Sequence, residues 1–338
     1  MNRGSLRSVG ERIAIVIVIG VFAVHCNDEG EPWSTVLLRS PQWSTSYIAV
    51  LRTEAHGTSG PSGCNSVESV TEPTIPVFDV YRADSTGRII GLVASGKPNV
   101  SVLRWSPAGD RLFVGSAEPW LGSGAFIVMI GGGVTVIDSL VTASDAVWTG
   151  DGSRVIVSGI RVGDTERRVY ILNADGSGLR LLDASLPSEV NHLAWSGRGT
   201  LALLYHKDYR GYLGFADTSG AGFAVIDSIG LVYSVMAMSP DGTDLVYTSA
   251  SAPNRIYRLS IGSTTRTEIS QGPYVSSIAY SPDGSTIMYG VDGGVYVVGA
   301  DGTNEHLVTP YAREASWSPD SRKLVFSTSD HLEVVAVR

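Results

Sequence analysis

The stretch Tyr280-Ser281-Pro282-Asp283-Gly284 is the clearest copy of a five-residue pattern that recurs along this chain. Proline fixes its own φ at the second position of a turn, aspartate tolerates the third, and glycine accepts the positive φ that closes a hairpin. Six copies occur in order, beginning at Trp105, Trp148, Trp195, Met238, Tyr280 and Trp317, with spacings of 43, 47, 43, 42 and 37 residues. A repeat of about 42 residues with β-type composition is typical of a propeller, in which each unit is one four-stranded blade.

An apolar or alternating run follows each copy, for example Leu245–Thr248 and Lys323–Ser327, and such runs predict strands. The five-residue pattern is therefore predicted to be the hairpin between the first and second strands of a blade. A second turn recurs later in several units and is predicted to join the third and fourth strands. Its copies are Asn173–Gly176, Asp217–Gly220 and Gly299–Gly302.

A seventh, degenerate copy begins at Trp43, 62 residues before Trp105. The excess over the period matches the Gly/Ser/Pro/Glu-rich stretch 54–73, which is predicted to be a loop insertion. Residues 34–338 are thus predicted to form one domain, an all-β, seven-bladed β-propeller of four-stranded antiparallel blades; six blades is the alternative. The last blade lacks a fourth strand in the repeat pattern, and Ser34–Arg39 is predicted to supply it and close the ring.

The composition agrees with this fold class. Of 338 residues, 43% are hydrophobic, which is enough to bury a core and excludes wholesale disorder. Only 17% are charged, a fraction that disfavours a coiled coil, and the 39 glycines and 15 prolines suit many short turns.

The first 25 residues have the layout of a signal peptide. Arg3, Arg7 and Arg12 precede the apolar run 13–24, which is too short to cross a membrane as a helix. The chain is therefore predicted to be exported.

Cys26 lies two residues after the end of the apolar run. The segment Ala23-Val24-His25-Cys26 resembles the bacterial lipoprotein processing box. His25 departs from that box, which normally has a small residue before the cysteine. One interpretation is lipidation of Cys26, with residues 26–33 as a tether and the protein held at a membrane in the periplasm or on the cell surface. The other is ordinary cleavage after Ala23 and a disulfide between Cys26 and Cys64 in a soluble periplasmic or secreted protein.

The charge of the chain disfavours nucleic acid as a partner. Without residues 1–25, which hold three arginines and one glutamate, the chain keeps 22 basic and 32 acidic residues, a net charge of −10. Phosphate binding needs a basic face, which this composition does not supply.

The Trp-Ser-Pro-Asp-Gly hairpins, the Ala-Asp-Gly hairpins and the apolar strands resemble the TolB-type branch of the WD-like β-propeller repeats over about residues 34–338. Members of that branch include a propeller that binds an outer-membrane lipoprotein, propellers attached to serine peptidases and propellers that act as lyases. The resemblance implies the fold and an exported, envelope-associated protein. The α/β domain that precedes the propeller in the Tol-type protein has no counterpart in this sequence, which argues against the same role in the Tol system.

Motifs for hydrolase, zincin, nucleotide-binding or redox chemistry do not occur in the sequence, so no catalytic residue, cofactor or metal site is predicted. Gly131–Gly133 lies between two apolar runs and is interpreted as a hairpin turn. The tryptophans of the repeat are expected to pack between blades. Histidines are the remaining candidates for acid-base chemistry, with His56 and His206 placed after second strands and His192 in a connection between blades.

Irregular loops are predicted to share one face of the propeller, formed by the second-to-third strand loops and the blade-to-blade connections. Trp120 and Tyr209 lie in such loops outside the blade register and have charged neighbours, as contact aromatics at interfaces do. Tyr212 is the start of a third strand in an alternative interpretation. The candidate partner-binding residues are Glu118, Trp120, Arg161, His206, Lys207, Asp208, Tyr209, Arg210, Arg313 and Glu314.

Two functions remain open at this point. The first is a monomeric, membrane-anchored scaffold of the cell envelope that binds a protein or a glycan through the irregular loops. The second is a lyase or hydrolase whose His and acidic side chains converge at the mouth of the central channel; the candidates for it are His56, His192, His206, Asp208, Arg313 and Glu314.

Overall fold

The computed structural model describes residues 32–44, 48–58, 77–98, 100, 102–117, 124–230, 234–249, 254–263, 265–272, 274–310, 312, 314–328 and 331–337. Regular structure in these ranges consists of β-strands in seven antiparallel sheets. The prediction of an all-β, seven-bladed propeller is confirmed, and the six-bladed alternative is wrong. No helix in the described part of the chain is long and apolar enough to span a membrane.

Each of the first three blades has four strands that follow one another in chain order. Blade 1 consists of β1 (Pro32–Trp43), β2 (Ile48–Thr58), β3 (Val77–Ala83) and β4 (Ile89–Pro98). Blade 2 consists of β5 (Val102–Trp105), β6 (Arg111–Gly115), β7 (Ala125–Met129) and β8 (Val134–Val136). Blade 3 consists of β9 (Leu140–Trp148), β10 (Arg154–Arg161), β11 (Arg168–Asn173) and β12 (Arg180–Leu181).

Blades 4 to 6 repeat this order, and the described residues of blade 7 form three strands. Blade 4 consists of β13 (Val190–Trp195), β14 (Thr200–Lys207), β15 (Arg210–Asp217) and β16 (Ala224–Gly230). Blade 5 consists of β17 (Met236–Met238), β18 (Asp244–Ser249), β19 (Asn254–Ser260) and β20 (Arg266–Gly272). Blade 6 consists of β21 (Val275–Tyr280), β22 (Thr286–Val291), β23 (Gly294–Gly299) and β24 (His306–Thr309), and blade 7 of β25 (Ala315–Trp317), β26 (Lys323–Ser327) and β27 (Leu332–Ala336).

The first strands of the seven blades surround the central axis. Each contacts the first strand of the next blade, from β1 through β5, β9, β13, β17 and β21 to β25, and β25 contacts β1. The buried core lies between blades rather than within them. Phe113 of blade 2, for example, shares one buried cluster with Val155 and Tyr170 of blade 3, because a single sheet can bury its faces only against its neighbours.

The five-residue pattern forms the hairpin between the first and second strands, as predicted. In the copy after β21, Asp283 Oδ1 accepts hydrogen bonds from Ser281 Oγ at 2.7 Å and from the Ser285 amide at 3.0 Å. Gly284 has a φ of +74°, a conformation that favours glycine. The Ser, Asp and Gly of the pattern therefore build the turn itself. The second recurring turn joins the third and fourth strands, and Gly131–Gly133 is a hairpin turn between β7 and β8, both as predicted.

Tryptophans of the repeat link neighbouring blades, as expected. In three of them the indole Nε1–H donates to the carbonyl of the residue just before the corresponding position in the preceding blade. Trp105 donates to Gln42 at 2.9 Å, Trp148 to Arg104 at 2.9 Å and Trp317 to Ala279 at 3.3 Å. The same side chain thus fills the gap between two sheets and satisfies a main-chain acceptor there.

The prediction that Ser34–Arg39 would complete the last blade is wrong. This segment belongs to β1 and pairs with β2, from Ser34 opposite His56 to Arg39 opposite Leu51. The physical reason is the position of Trp43, because the strand before each repeat tryptophan is the first strand of the same blade. Blades 1 and 7 close the ring by packing instead: the Trp43 amide donates to Ser316 Oγ at 2.9 Å.

The boundaries predicted around blade 1 also change. Strand β2 continues to Thr58, so residues 54–58 of the expected loop insertion 54–73 are strand, and β1 begins at Pro32, inside the expected tether 26–33. Residues Thr53–Thr58 pair with β1 only, because the pairing of β2 with β3 ends at Arg52. Blade 1 therefore carries a two-stranded ribbon. The signal peptide, Cys26, Cys64 and residues 59–73 lie outside the described residues.

Candidate functional site

The two ends of the blades carry different kinds of connection. We call the end with the first-to-second and third-to-fourth hairpins the turn face, and the end with the second-to-third strand connections and the blade-to-blade connections the loop face. Antiparallel strands in chain order place these two sets at opposite ends. The turn face repeats one stereotyped geometry, and the loop face does not.

Blade 4 presents a two-residue hairpin on the loop face. Lys207 pairs with Arg210, and Asp208 and Tyr209 form the turn between them with φ values of +50° and +62°. Two successive left-handed residues define a type I′ turn, which normally uses Asn-Gly because other side chains are strained there. Tyr209 is nonetheless 87% exposed at the tip. An exposed aromatic ring is thus held in a costly backbone conformation without burying its surface.

A polar cluster supports the base of this hairpin. Asn191 Nδ2 donates to His206 Nδ1 at 2.6 Å, and Arg167 donates to Asn191 Oδ1 at 2.5 Å. The Arg167 guanidinium also lies 3.5 Å from the carboxylate of Glu189, a residue with a positive φ of 58° whose carbonyl accepts the His206 amide. These contacts join blade 3 to blade 4 beneath the tip. The hairpin therefore stands on a fixed base.

His206 is held in its neutral form. Partial burial lowers its pKa, and the nearby charges of His192 and Arg167 lower it further, against the weaker opposing effect of Glu189. The neutral ring also agrees with Nδ1 accepting the Asn191 amide. Because Nδ1 accepts this bond, Nε2 carries the proton of the neutral ring and can donate a hydrogen bond.

A second cluster crosses three first strands at the channel. Asp145, only 3% exposed, accepts hydrogen bonds from Arg104 at 2.6 Å, from the Ala146 amide at 2.8 Å and from the Leu193 amide at 3.0 Å. His192 Nδ1 lies 3.5 Å from its other side at Oδ2. Arg104, Asp145 and His192 come from blades 2, 3 and 4, so one carboxylate connects three blades.

Asp145 remains ionised despite its burial. Burial alone would raise the pKa of this carboxyl, but the charge of Arg104, the contact with His192 and the Leu193 amide outweigh it and hold the pKa at about 2. The side chains of Arg104 and His192 are partly exposed. The cluster therefore presents these two groups to solvent, above the buried negative charge of Asp145.

The predicted candidate residues fall into three groups. His206, Lys207, Asp208, Tyr209 and Arg210 share the blade-4 hairpin. Arg161 ends β10 on blade 3, where it pairs with Asp164 at 3.3 Å, and Glu314 is exposed just before β25 on blade 7. Glu118, Trp120, Arg313 and the lipidation candidate Cys26 lie outside the described residues.

The histidines differ in part from their predicted places. His192 lies on β13 and not in a connection, because that strand already begins at Val190. His56 and His206 lie on second strands rather than after them, and Tyr212 lies in the third strand β15, as its alternative interpretation predicted. Of the six residues considered for acid-base chemistry, His192 and His206 interact electrostatically. Among the described residues no three His, Cys, Asp or Glu side chains are grouped so that they could hold a metal ion.

Arg104 and Asp145 were not predicted from the sequence, although a signal exists. Arg104 lies one residue before its repeat tryptophan, whereas Asp145 and His192 lie three residues before theirs. These positions share one side of a strand because side chains alternate with a period of two. Charged or polar residues in that register, in three successive repeats, mark the cluster.

Comparison with known proteins shows the fold. No protein-family model matches the chain, and no curated protein matches it. Among solved structures, an oligogalacturonate lyase from Vibrio parahaemolyticus has a TM-score of 0.60 and 12% identity over 91% of this chain and 98% of its own. A putative TolB from Agrobacterium tumefaciens has a TM-score of 0.54 and 17% identity over 73% of this chain and 94% of its own.

A TolB from Acinetobacter baumannii is similar as well, with a TM-score of 0.53 and 12% identity over 90% of this chain and 77% of its own. The resemblance to TolB-type propellers is thus confirmed for the fold. At these identities, the same scaffold carries different activities, so the chemistry of the sites has to be argued from this chain's own residues.

We expect Asp145→Asn to lower the free energy of unfolding at pH 7 by roughly 2 kcal/mol, the equivalent of its pKa difference between folded and unfolded states. The folded-state pKa lies below the ordinary value of 3.8, so the stabilisation is present above pH 4 and is lost as the pH falls toward 2. Denaturant unfolding of both proteins at several pH values measures it. Asp138→Asn, at an exposed position between β8 and β9, is the matched control and is expected to leave the free energy of unfolding unchanged. A difference between wild type and Asp145→Asn that stays constant below pH 4 would contradict the prediction.

Proposed function

We propose that this chain is a binding propeller of the cell envelope that takes up a protein or glycan partner on its loop face, with the blade-4 hairpin at the centre of the contact. The observation that carries the proposal is Tyr209. Backbone strain that persists without a packing benefit is characteristic of functional positions, and exposed tyrosines are enriched in interfaces because a large rigid ring loses little entropy on binding.

The surroundings of the hairpin support this role. Lys207, Asp208 and Arg210 give the tip both signs of charge, which suits a polar partner. The cluster of Arg167, Asn191 and His206 fixes its base. A contact group that is ordered before binding loses less conformational entropy when the partner arrives.

The envelope location rests on the N-terminal sequence. We propose that residues 1–25 direct export and that a lipid on Cys26 anchors the mature protein. The apolar run 13–24 and the cysteine that ends the processing box support this, and the TolB-like neighbours share the fold. In the alternative, Cys26 forms a disulfide with Cys64 and carries no lipid, so the protein is not attached to a membrane.

Substitution of the strained turn of blade 4 is expected to raise the stability of the protein and to weaken its binding of the partner. Asn-Gly adopts the left-handed conformation of this turn with less strain than Asp208-Tyr209. The double substitution is therefore expected to raise the free energy of unfolding by roughly 1 kcal/mol. The same double variant is expected to lose the partner, because the aromatic contact is gone. Denaturant unfolding and quantitative cross-linking in the native envelope measure the two effects.

Two further variants complete this test. Tyr209→Ala keeps a strained turn and is expected to weaken cross-linking without the gain in stability. Leu307→Ala removes a side chain that is 44% exposed on the outer strand β24 of blade 6 and is expected to leave cross-linking unchanged. Cross-linked partners recovered equally from wild type and Tyr209→Ala would count against the proposal.

The anchor has its own test. Intact-mass measurement of detergent-extracted protein is expected to show the mass of a diacylglyceryl group on a chain that begins at Cys26. Cys26→Ala is expected to move the protein from the membrane fraction to the soluble fraction, whereas Cys64→Ala serves as the control and stays with the membrane. A chain that begins at Val24 and contains a disulfide would favour the alternative.

A lyase or hydrolase is the second candidate function. The Asp145–His192 pair favours it, because a carboxylate beside an imidazole can orient that ring as a general base. Oligogalacturonate, named for a structural neighbour, is the substrate to test first. Release of unsaturated products that is abolished by His192→Gln would support the enzyme, and the absence of turnover would argue against this substrate class.

A further inference from the structure

The boundary between blades 5 and 6 departs from the repeat. Tyr280 stands there in place of tryptophan, so no indole is available to donate to the preceding blade. Its side chain is buried, with the residue 8% exposed, and its hydroxyl has no hydrogen-bond partner among the described residues. A buried hydroxyl without a hydrogen-bond partner is unusual in proteins, so a ligand that hydrogen-bonds to it is a reasonable explanation.

A cavity of about 480 Å³ lies beside Tyr280 on the turn face. Its walls come from the blade-5 turn, with Pro240 and Asp241, and from the blade-6 turn, with Pro282 and Asp283. The two turns approach each other closely, since a Cβ on Gly284 would lie 3.6 Å from Pro240 Cδ. The volume is in the range of small-molecule sites, and the polar groups converge on it from two blades.

The cavity carries a net negative charge. Three carboxylates line it, from Asp241, Asp244 and Asp283, together with one guanidinium, from Arg258. Arg258 is committed to its neighbours, because it donates to Asp244 at 2.9 Å and to the Ala300 carbonyl at 3.2 Å. Among the described residues neither Asp241 nor Asp283 forms an ion pair, although the charges of Arg198 and Arg258 act on Asp241 from a greater distance.

Both carboxylates are ionised, and that of Asp283 has room for another donor. Hydrogen bonds from Ser239 and Thr243 hold the pKa of Asp241 at about 2. The bonds that Asp283 accepts from the Ser281 and Ser285 hydroxyls and the Ser285 amide all reach Oδ1. Within the described part of the chain its Oδ2 accepts none.

We propose that this cavity binds a primary alkylammonium group, carried by a free diamine or by a lysine side chain. An ammonium has three donors, which match the carboxylates of Asp241 and Asp283 and the oxygen of Tyr280. The methylene groups next to the ammonium would lie against the rings of Pro240 and Pro282. The site lies on the opposite face from the blade-4 hairpin, so it is independent of the partner proposed there.

The test is thermal unfolding and calorimetric titration with 1,5-diaminopentane as the probe. 1,5-Pentanediol is the neutral control of the same length, N-acetyl-lysine amide represents a lysine side chain, and calcium chloride tests a simple cation. A saturable rise in melting temperature is expected with the diamine and not with the diol or calcium. If N-acetyl-lysine amide also binds, the ammonium group is assigned to a lysine side chain of a partner. If only the diamine binds, it is assigned to a free diamine.

Two variants separate the site from a general charge effect. Tyr280→Trp removes the phenol oxygen from the cavity and supplies an indole donor like those of Trp105, Trp148 and Trp317, so it is expected to raise the melting temperature and weaken the response to the diamine. Asp283→Asn removes one charge and is expected to weaken the diamine about tenfold, as loss of one charge-assisted hydrogen bond does. An unchanged response in both variants, a response to the diol or to calcium, or no response in the wild type would overturn the proposal.

Discussion

The structure depends on one constraint: a four-stranded blade has two apolar faces, and only its neighbours can cover them. Seven blades around an axis satisfy this for every sheet, provided that the last blade meets the first. The indole donors at Trp105, Trp148 and Trp317 add a main-chain contact at three boundaries. Contact between β1 and β25 completes the circle, so the stability of each blade is tied to that of the two beside it.

The periodic part of this architecture could be predicted from sequence, because it is local. Ser281, Asp283 and Gly284 build their turn from hydrogen bonds within five residues, and the same pattern marks the other blades. The partner of Ser34–Arg39 was mispredicted although Trp43 already marked that segment as a first strand. Asp145 was missed because its partners Arg104 and His192 are a full repeat away on either side, so its signal lies in the register of successive repeats and not in a local motif.

The positions that break the repeat carry the functional hypotheses. Tyr209 occupies a turn that favours glycine, Asp145 places a charge in a buried strand, and Tyr280 replaces an indole with a shorter ring. Each departure has a local energetic cost that the surrounding blades tolerate because many equivalent contacts hold the ring. The regular turns, by contrast, explain the positions of their aspartates, and Asp241 and Asp283 gain a proposed further role only beside Tyr280. Function on this scaffold is thus expected where the framework pattern is broken.

The ribbon of blade 1 has a geometric consequence for a membrane-held protein. Trp43 ends β1 at the turn face, so Pro32 begins it on the loop-face side, at the far end of a ribbon that β3 does not cover. Five residues lie between Cys26 and Pro32, so the path from one to the other is at most about 22 Å when fully extended. A lipid at Cys26 would therefore keep the N-terminal end of this ribbon, on the loop-face side of the propeller, within that distance of the bilayer surface.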